Sequence, residues 1–202
     1  MDKARKAAEY FSKLPGIGPR QARRLVYFLA GQEKRFLDGL AEVIGTLKEE
    51  LSECGSCHRF FEGKGKRCDI CESPSTDHST MLVLEKDVDF ENVRKLGVYH
   101  GRYFILGGLL PILEKNPTEK IRIRELVAET GKQIQKGLKE IIIALSVNPE
   151  GENTAQYVTK TLELLKEKHG LKLTLLGRGL STGTELEYSD EDTLRNALKH
   201  RG

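Results

Sequence analysis

The sequence contains no apolar run long enough to cross a lipid bilayer, and residues 1–30 carry no hydrophobic signal-peptide core. It also lacks a Walker A loop with its lysine, so it has no phosphate cradle of the kind that nucleotide hydrolases use. These absences favour a cytoplasmic protein that does not act at a membrane. The chain of 202 residues can form one large core or two small ones, and its composition is that of a globular protein.

Cysteine is scarce, and all the cysteines fall in one short segment. They are Cys54, Cys57, Cys68 and Cys71, two C-x2-C pairs separated by ten residues. This spacing predicts a tetrahedral zinc site, in which four thiolates leave no open position for water and the Zn²⁺ ion is structural. Two disulfide bonds are the alternative, but a chain of this size without a secretion signal does not depend on them.

The formal net charge of +3 is unevenly distributed along the chain. Residues 1–35 contain nine Lys or Arg and three Asp or Glu, a net +6, which leaves −3 for the remainder. A basic amino-terminal segment on a mildly acidic body predicts that a polyanion binds at the amino-terminal end.

The basic segment contains a glycine-rich turn between two predicted helices. Residues 3–13 have the apolar spacing of a short helix, and residues 14–19 read Leu-Pro-Gly-Ile-Gly-Pro. Gly16 and Gly18 permit a tight turn, and Pro19 suits the first position of a second helix. Backbone N–H groups at such a helix start carry partial positive charge and suit a phosphate oxygen without reading a base.

This segment resembles the helix-hairpin-helix motif, which binds the backbone of nucleic acids through those N–H groups. The resemblance and the adjacent cations predict a DNA-binding set of Lys13, Gly16, Gly18, Arg20, Arg23 and Arg24, with Lys6 as a further candidate. A plain glycine-rich helical turn is the alternative, and the motif also mediates protein contacts in some proteins. The preference for single-stranded or duplex DNA stays open.

Residues 33–51 place leucine and isoleucine three and four positions apart, which predicts a third helix whose apolar face is core or an oligomer seam. Between the cysteine pairs lie cations and two aromatics: Arg59, Phe60, Phe61, Lys64, Lys66 and Arg67. They could form a second basic surface. Nearby acids cancel the charge, so we favour a solvated loop with both phenylalanines packed inward.

After the cysteines, short apolar runs alternate with stretches of helical spacing. The runs cover residues 81–84, 103–106, 141–145 and 171–176, and Gly170 is a predicted helix cap. Continuous apolar strands separated by helices predict a mostly parallel sheet that is covered on both faces. Functional groups then belong at the carboxyl ends of the strands.

Two strand ends carry acids, and they resemble the Toprim domain of topoisomerases and primases. In that domain a glutamate after the first strand and an Asp-x-Asp after a later strand hold magnesium. Glu85 matches the glutamate, but the aspartate positions are Ser146 and Asn148, which supply no negative charge. The resemblance therefore implies no metal-dependent strand cleavage. Glu85, Glu150 and Glu152 could still bind a cation weakly or a partner, and the alternative is that they are helix-terminal acids stabilised by the helix dipole.

The order of these parts is similar to that of the RecR family of bacterial recombination mediators, over essentially the whole chain. The resemblance rests on Leu14-Pro15-Gly16-Ile17-Gly18-Pro19, the four cysteines, Gly101-Arg102-Tyr103-Phe104-Ile105-Leu106-x-Gly108, Glu150-Gly151-Glu152-x-Thr154-Ala155, and Arg178-Gly179 through Gly183-x-Glu185-Leu186-Glu187-Tyr188. Residues 109–117 depart from the family, which continues there with a glycine-rich leucine-serine-proline segment. Residues 147–149 read Val-Asn-Pro in place of Asn-Pro-Thr.

The resemblance implies a multi-part α/β protein with four parts. They are a helix-hairpin-helix domain (1–52), a zinc module (53–79), a Toprim domain (80–176) and an oligomerisation segment of strand and helix (177–202), in which Leu194, Ala197 and Leu198 pack against another subunit.

The resemblance also implies a non-catalytic DNA-binding protein at the nucleoid. Such a protein forms ring-like homotetramers around DNA and, with RecO or RecF, helps to load RecA. A Toprim-type metal-dependent nuclease or topoisomerase-like enzyme is the alternative. A sequence-reading zinc-finger regulator is less favoured, because no base-reading helix lies near the cysteines.

Overall fold

The structure is a computed structural model that describes residues 2–114 and 116–177. The fold is mixed α/β, as the sequence predicts, and the chain divides into two compact units at residues 51 and 52. The predicted strand and helix of residues 177–202 lie outside the described residues except for Gly177. Among the described helices, none is both long and apolar enough to span a bilayer.

The first unit consists of three helices, α1 (Lys3–Phe11), α2 (Pro19–Ala30) and α3 (Lys34–Glu50). The Asp2 carboxylate accepts a hydrogen bond from the Ala4 N–H (3.1 Å) and caps α1. The small side chain of Ala22 on α2 is fully buried, and α1 and α2 pack against each other. These helices confirm the three that the apolar spacing predicts.

Much of the apolar face of α3 is exposed. Leu40, Ile44 and Leu47 are 38%, 58% and 44% exposed, respectively. A stripe of this kind is costly to leave in water, and its predicted role as core or oligomer seam stays a prediction.

The second unit begins with a small two-stranded sheet, β1 (Leu51–Glu53) and β2 (Phe60–Glu62), followed by the single helical turn α4 (Asp69–Glu72). The chain then forms β3 (Asp77–Leu84), α5 (Asp87–Leu96), β4 (Gly101–Ile105), α6 (Pro117–Lys120), α7 (Ile123–Ile134), β5 (Glu140–Ala144), α8 (Pro149–His169) and β6 (Lys172–Leu175). Strands β4-β3-β5-β6 form a parallel sheet in that order, which confirms the predicted topology.

The central strand β3 contributes side chains to a core on each face of the sheet. Met81 and Val83 pack with side chains of α7 and α8, whereas Leu82 and Leu84 pack with Phe90 of α5. This alternation follows from the two-residue repeat of a strand. Because β3 and β5 are parallel neighbours, their carboxyl ends meet at one edge of the sheet, which we call the Toprim edge.

Candidate functional site

Residues 14–19 form the predicted turn between α1 and α2, and we call them the glycine corner. Gly16 has φ +75°, a left-handed backbone conformation that a glycine adopts without strain. Gly18 is the N-cap of α2 and offers no side chain to satisfy the first N–H groups of that helix. Among the described residues, the N–H groups of Gly18, Arg20 and Gln21 have no hydrogen-bond acceptor. They are available to an external anion.

Four exposed basic side chains flank the glycine corner. They are Lys13, Arg20, Arg23 and Arg24. The three arginines lie three and four residues apart, so they share one side of α2. Within the described part of the chain none of the four forms an ion pair, whereas Arg5 pairs with Glu9 (3.4 Å). The first unit thus presents these four cations without a carboxylate partner, and their contact with DNA stays a prediction.

The four cysteines converge as predicted. Their Sγ atoms all lie within 4.8 Å of one another, and all four residues are buried. The Sγ atoms of Cys57 and Cys68 are 3.6 Å apart, close to the separation of about 3.8 Å that Zn–S bonds of about 2.3 Å give in a tetrahedron. His58, at φ +59°, lets the first loop turn back after Cys57. The residues therefore fit a four-coordinate metal ion of the zinc type.

The electrostatics of the cysteine cluster also suit a cation. Hydrogen bonds from the other three thiols lower the pKa of Cys54, and hydrogen bonding to the Cys54 thiolate raises the pKa of Cys57. Thiols crowded in this way cannot all ionise without a counter-charge, and a divalent metal supplies it.

The cysteine loops are joined to the parallel sheet by a buried polar network that the sequence did not reveal. The main-chain N–H of Ile105 on β4 donates to the Cys57 carbonyl (2.8 Å). Ser56, between the first two cysteines, donates to the carboxylate of Glu129 on α7 and accepts from Arg102 on β4 (3.1 Å). The only sequence signal is that Glu129 and Arg102 occupy positions where the apolar pattern expects a hydrophobic side chain.

The residues between the cysteine pairs differ partly from the favoured prediction. Arg59 is 8% exposed, pairs with Asp69 and lies over the Phe90 ring (4.7 Å), so it does not contribute to a basic surface. Phe61 packs on the cysteine cluster as expected. Phe60 is 51% exposed, so its predicted inward packing is wrong. The two-residue repeat of β2 explains this, because adjacent strand residues point to opposite faces.

At the Toprim edge, Glu85 is 4% exposed and both of its carboxylate oxygens are occupied. Lys86 Nζ pairs with Oε1, and the Ser146 hydroxyl donates to Oε2. Although burial raises the pKa of Glu85, the hydrogen bonds from Lys86 and Ser146 lower it overall. The sequence analysis did not identify Lys86 as the partner of Glu85. The one feature of the sequence that pointed to it is its position directly after the strand-terminal glutamate. A protein cation therefore lies where a Toprim enzyme places a metal.

Glu150 and Glu152 lie in the first turn of α8, where carboxylates favour the helix dipole. Asn148 is the N-cap of this helix and accepts from the Gly151 N–H (2.7 Å). Both residues at the Toprim aspartate positions thus have structural hydrogen bonds. Within the described ranges, only the cysteines form a group of three or more ligands close enough to hold a metal. A weak cation or partner site at these glutamates stays a prediction.

The altered segment 109–117 is anchored to α8. The Leu110 N–H donates to Thr154 Oγ1 (2.8 Å), and the Asn153 side chain donates to the Leu110 carbonyl (3.2 Å). Leu110 is buried, whereas Ile112 and Leu113 are 63% and 89% exposed. The departure from the family pattern therefore changes an exposed surface and leaves the core intact.

Comparison with known proteins agrees with this architecture. The Toprim domain model matches residues 79–176, and the model of the RecR C-terminal region matches residues 179–201. The second unit is thus a Toprim domain preceded by a four-cysteine module.

Full-length relatives then identify the family. Recombination protein RecR of Pediococcus pentosaceus is 37% identical, covering 97% of this chain and 94% of that protein. Recombination protein RecR of Bacteroides thetaiotaomicron is 38% identical, covering 97% of this chain and 91% of that protein. The protein of the same name in Mycolicibacterium smegmatis is 37% identical, covering 94% of this chain and 91% of that protein. The chain belongs to the RecR family of recombination proteins.

Proposed function

We propose that the protein is a non-catalytic DNA-binding mediator of recombinational DNA repair that acts at the nucleoid. It assembles into a ring-like homotetramer around DNA and, with RecO or RecF, helps RecA to load onto gapped DNA. Family membership supports the role in recombination. The observation that carries the proposal is the glycine corner, which combines free backbone N–H groups with unpaired arginines.

The chemistry of the glycine corner favours sequence-independent binding of the DNA backbone. Its N–H groups and guanidinium groups are donors that match phosphate oxygens, which are the same at every base pair. Each protomer supplies only a few phosphate contacts, which salt screens. Several protomers linked in one ring convert these weak contacts into strong overall binding.

Self-association is supported by the exposed apolar side chains of the first unit. Val43 and Ile44 on α3 are 61% and 58% exposed, and Tyr27 and Phe28 on α2 are 73% and 56% exposed. A second copy of the chain can cover such a surface. The interface through residues 177–202 remains a further proposal.

The Toprim edge supports a role without metal-dependent catalysis. A magnesium ion at Glu85 must displace the Lys86 ammonium and the Ser146 hydroxyl, and Ser146 and Asn148 bring no carboxylate to compensate. We assign Zn²⁺ at the cysteines a structural role, because four protein ligands leave it no open position. Glu150 and Glu152, exposed at the start of α8, form our proposed surface for a protein partner.

The proposal is tested by replacing Arg20 and Arg24 with alanine and measuring binding to labelled DNA across a salt series. Each lost phosphate contact lowers the slope of log K against log salt by about 0.9 on duplex DNA, so we expect a decrease of up to about 1.8 per protomer. The matched control replaces Lys64 and Lys66, two exposed cations outside the corner, with alanine. If the control weakens binding as much as the arginine pair, DNA binds elsewhere. If the parent protein nicks, cuts or relaxes supercoiled plasmid in the presence of Mg²⁺ or Mn²⁺, the protein is a metal-dependent enzyme and the non-catalytic role is wrong.

A further inference from the structure

A groove beside the glycine corner has the composition of a nucleotide site. It lies between α1 and the start of α2, has a volume of about 540 Å³, and is built entirely from the first unit. Its lining includes Arg5, Lys6, Tyr10, Lys13 and Arg23. This volume is within the range of small-ligand sites, about 300–1,000 Å³.

The groove combines positive charge with an accessible aromatic ring. Four cations line it against one carboxylate, that of Glu9, which already pairs with Arg5. Tyr10 is 59% exposed, and the Lys13 ammonium lies 5.5 Å from the centre of its ring. The cation therefore lies over one face of the ring, and a base that stacks on the other face brings its phosphate near Lys13. Pro19, the first residue of α2, also lines the groove, so the groove is continuous with the glycine corner.

We propose that this groove binds single-stranded DNA, with an unpaired base stacked on Tyr10 and its phosphate at Lys13 and Arg23. The proposal rests on the proposed function, because it extends the backbone contacts of the glycine corner by one nucleotide. In duplex DNA both faces of a base are covered by the stack, so the ring of Tyr10 reaches only bases of single strands, gaps or ends. The groove therefore gives the protein a preference for single-stranded DNA that phosphate contacts alone do not provide.

An acidic peptide is the other polyanion that could match the charge. The exposed ring at the centre of the groove favours DNA, since stacking requires a flat face and every base has one. A carboxylate chain uses the cations but gains little from the ring.

The natural sequence contains no tryptophan, so Tyr10→Trp introduces a single fluorescent reporter into the groove. We expect its emission to be quenched by a thymidine oligonucleotide and unchanged by an abasic strand of equal length, which has the phosphates without the bases. Phe60→Trp, exposed on β2 outside the groove, is the matched reporter and should respond equally to both strands.

Affinity measured by fluorescence anisotropy gives the second readout. Tyr10→Ala should lower the ratio of single-strand to duplex affinity about fivefold, the low end of the range for one base–aromatic stack. Phe60→Ala, outside the groove and the self-association surface, should keep the parental ratio, and circular dichroism checks that both variants fold.

The outcomes separate this inference from the proposed function. DNA binding that depends on Arg20 and Arg24, with no quenching at position 10 and an unchanged ratio in Tyr10→Ala, overturns the groove and leaves the function standing. Quenching of the reporter by polyglutamate and not by the oligonucleotide overturns it in favour of an acidic protein segment. A parent protein that binds no DNA overturns both.

Discussion

Glu129 is the centre of the buried network between the cysteine loops and the Toprim sheet, and its loss should destabilise the second unit severely. Its Oε1 accepts from Ser56 and from Gln133 (2.6 Å), and the Arg102 guanidinium lies 3.8 Å away. The side chains of Arg102 and Glu129 are only 4% and 6% exposed. Glu129→Ala leaves a buried guanidinium without its counter-charge, which costs about 3–5 kcal/mol.

The same carboxylate provides a matched control. Lys132 Nζ also lies 3.8 Å from Glu129, but the Lys132 side chain is 65% exposed. Exposed ion pairs contribute about 0–1 kcal/mol, so Lys132→Ala should have little effect. The two pairs have equal distances and share one partner, but Glu129→Ala also removes the acceptor of Ser56 and Gln133, so the comparison sets the whole buried network against one exposed pair.

Urea denaturation, monitored by circular dichroism, measures the difference in stability between the two variants. With a slope of about 2 kcal/mol per molar urea, Glu129→Ala should lower the unfolding midpoint by about 1.5–2.5 M. If the cost is an orphaned charge, adding Arg102→Met should recover part of the loss. Equal midpoint shifts in Glu129→Ala and Lys132→Ala, or no recovery in the double variant, would refute this reasoning.

Two further predictions concern the Toprim edge. Ser146→Ala removes a donor to the Glu85 carboxylate and should cost about 1–3 kcal/mol near neutral pH. Because hydrogen bonds from Lys86 and Ser146 outweigh burial and lower the pKa of folded Glu85, this stabilisation is present above the ordinary carboxyl pKa and is lost as pH falls through the lowered value. The unfolding midpoints of parent and variant should therefore converge as the pH falls below the lowered pKa of Glu85, and a constant gap in an acid titration would contradict this account. Gly151→Ala brings a Cβ into collision with the Ser146 carbonyl oxygen and should cost about 1–3 kcal/mol, whereas Gly131→Ala meets no atom within 4 Å and should stabilise by about 0.5–1 kcal/mol. Equal thermal midpoints of the two variants would count against that packing.

Features that depend on neighbouring residues were predictable from the sequence. The apolar runs become β3, β4, β5 and β6, because a strand buried on both faces needs apolar side chains at successive positions. Gly170 caps α8 with φ +65°, a conformation that glycine adopts readily. The C-x2-C spacing likewise predicted the cysteine cluster, since each pair needs only one local turn.

Features that depend on register and tertiary packing were not predictable. Ser56 and Glu129 are 73 residues apart in the chain, and only the docking of the cysteine loop on the sheet brings them together. Lys86 was visible as a residue, but its pairing with Glu85 depends on a rotamer that local sequence does not determine. Phe60 and Phe61 look equivalent in the sequence, and the orientation of β2 decides which of them is buried.

The pairing of charge differs between the glycine corner and the Toprim edge. A site that binds a cation must keep its carboxylates free, yet Glu85 is already neutralised by Lys86 within the protein. A site that binds a polyanion must keep its cations free, and among the described residues Arg20 and Arg24 have no carboxylate partner. Internal pairing stabilises a fold but removes a charge from recognition. The glycine corner therefore keeps its cations available to an external polyanion, whereas the Toprim edge uses a cation of the protein to neutralise Glu85.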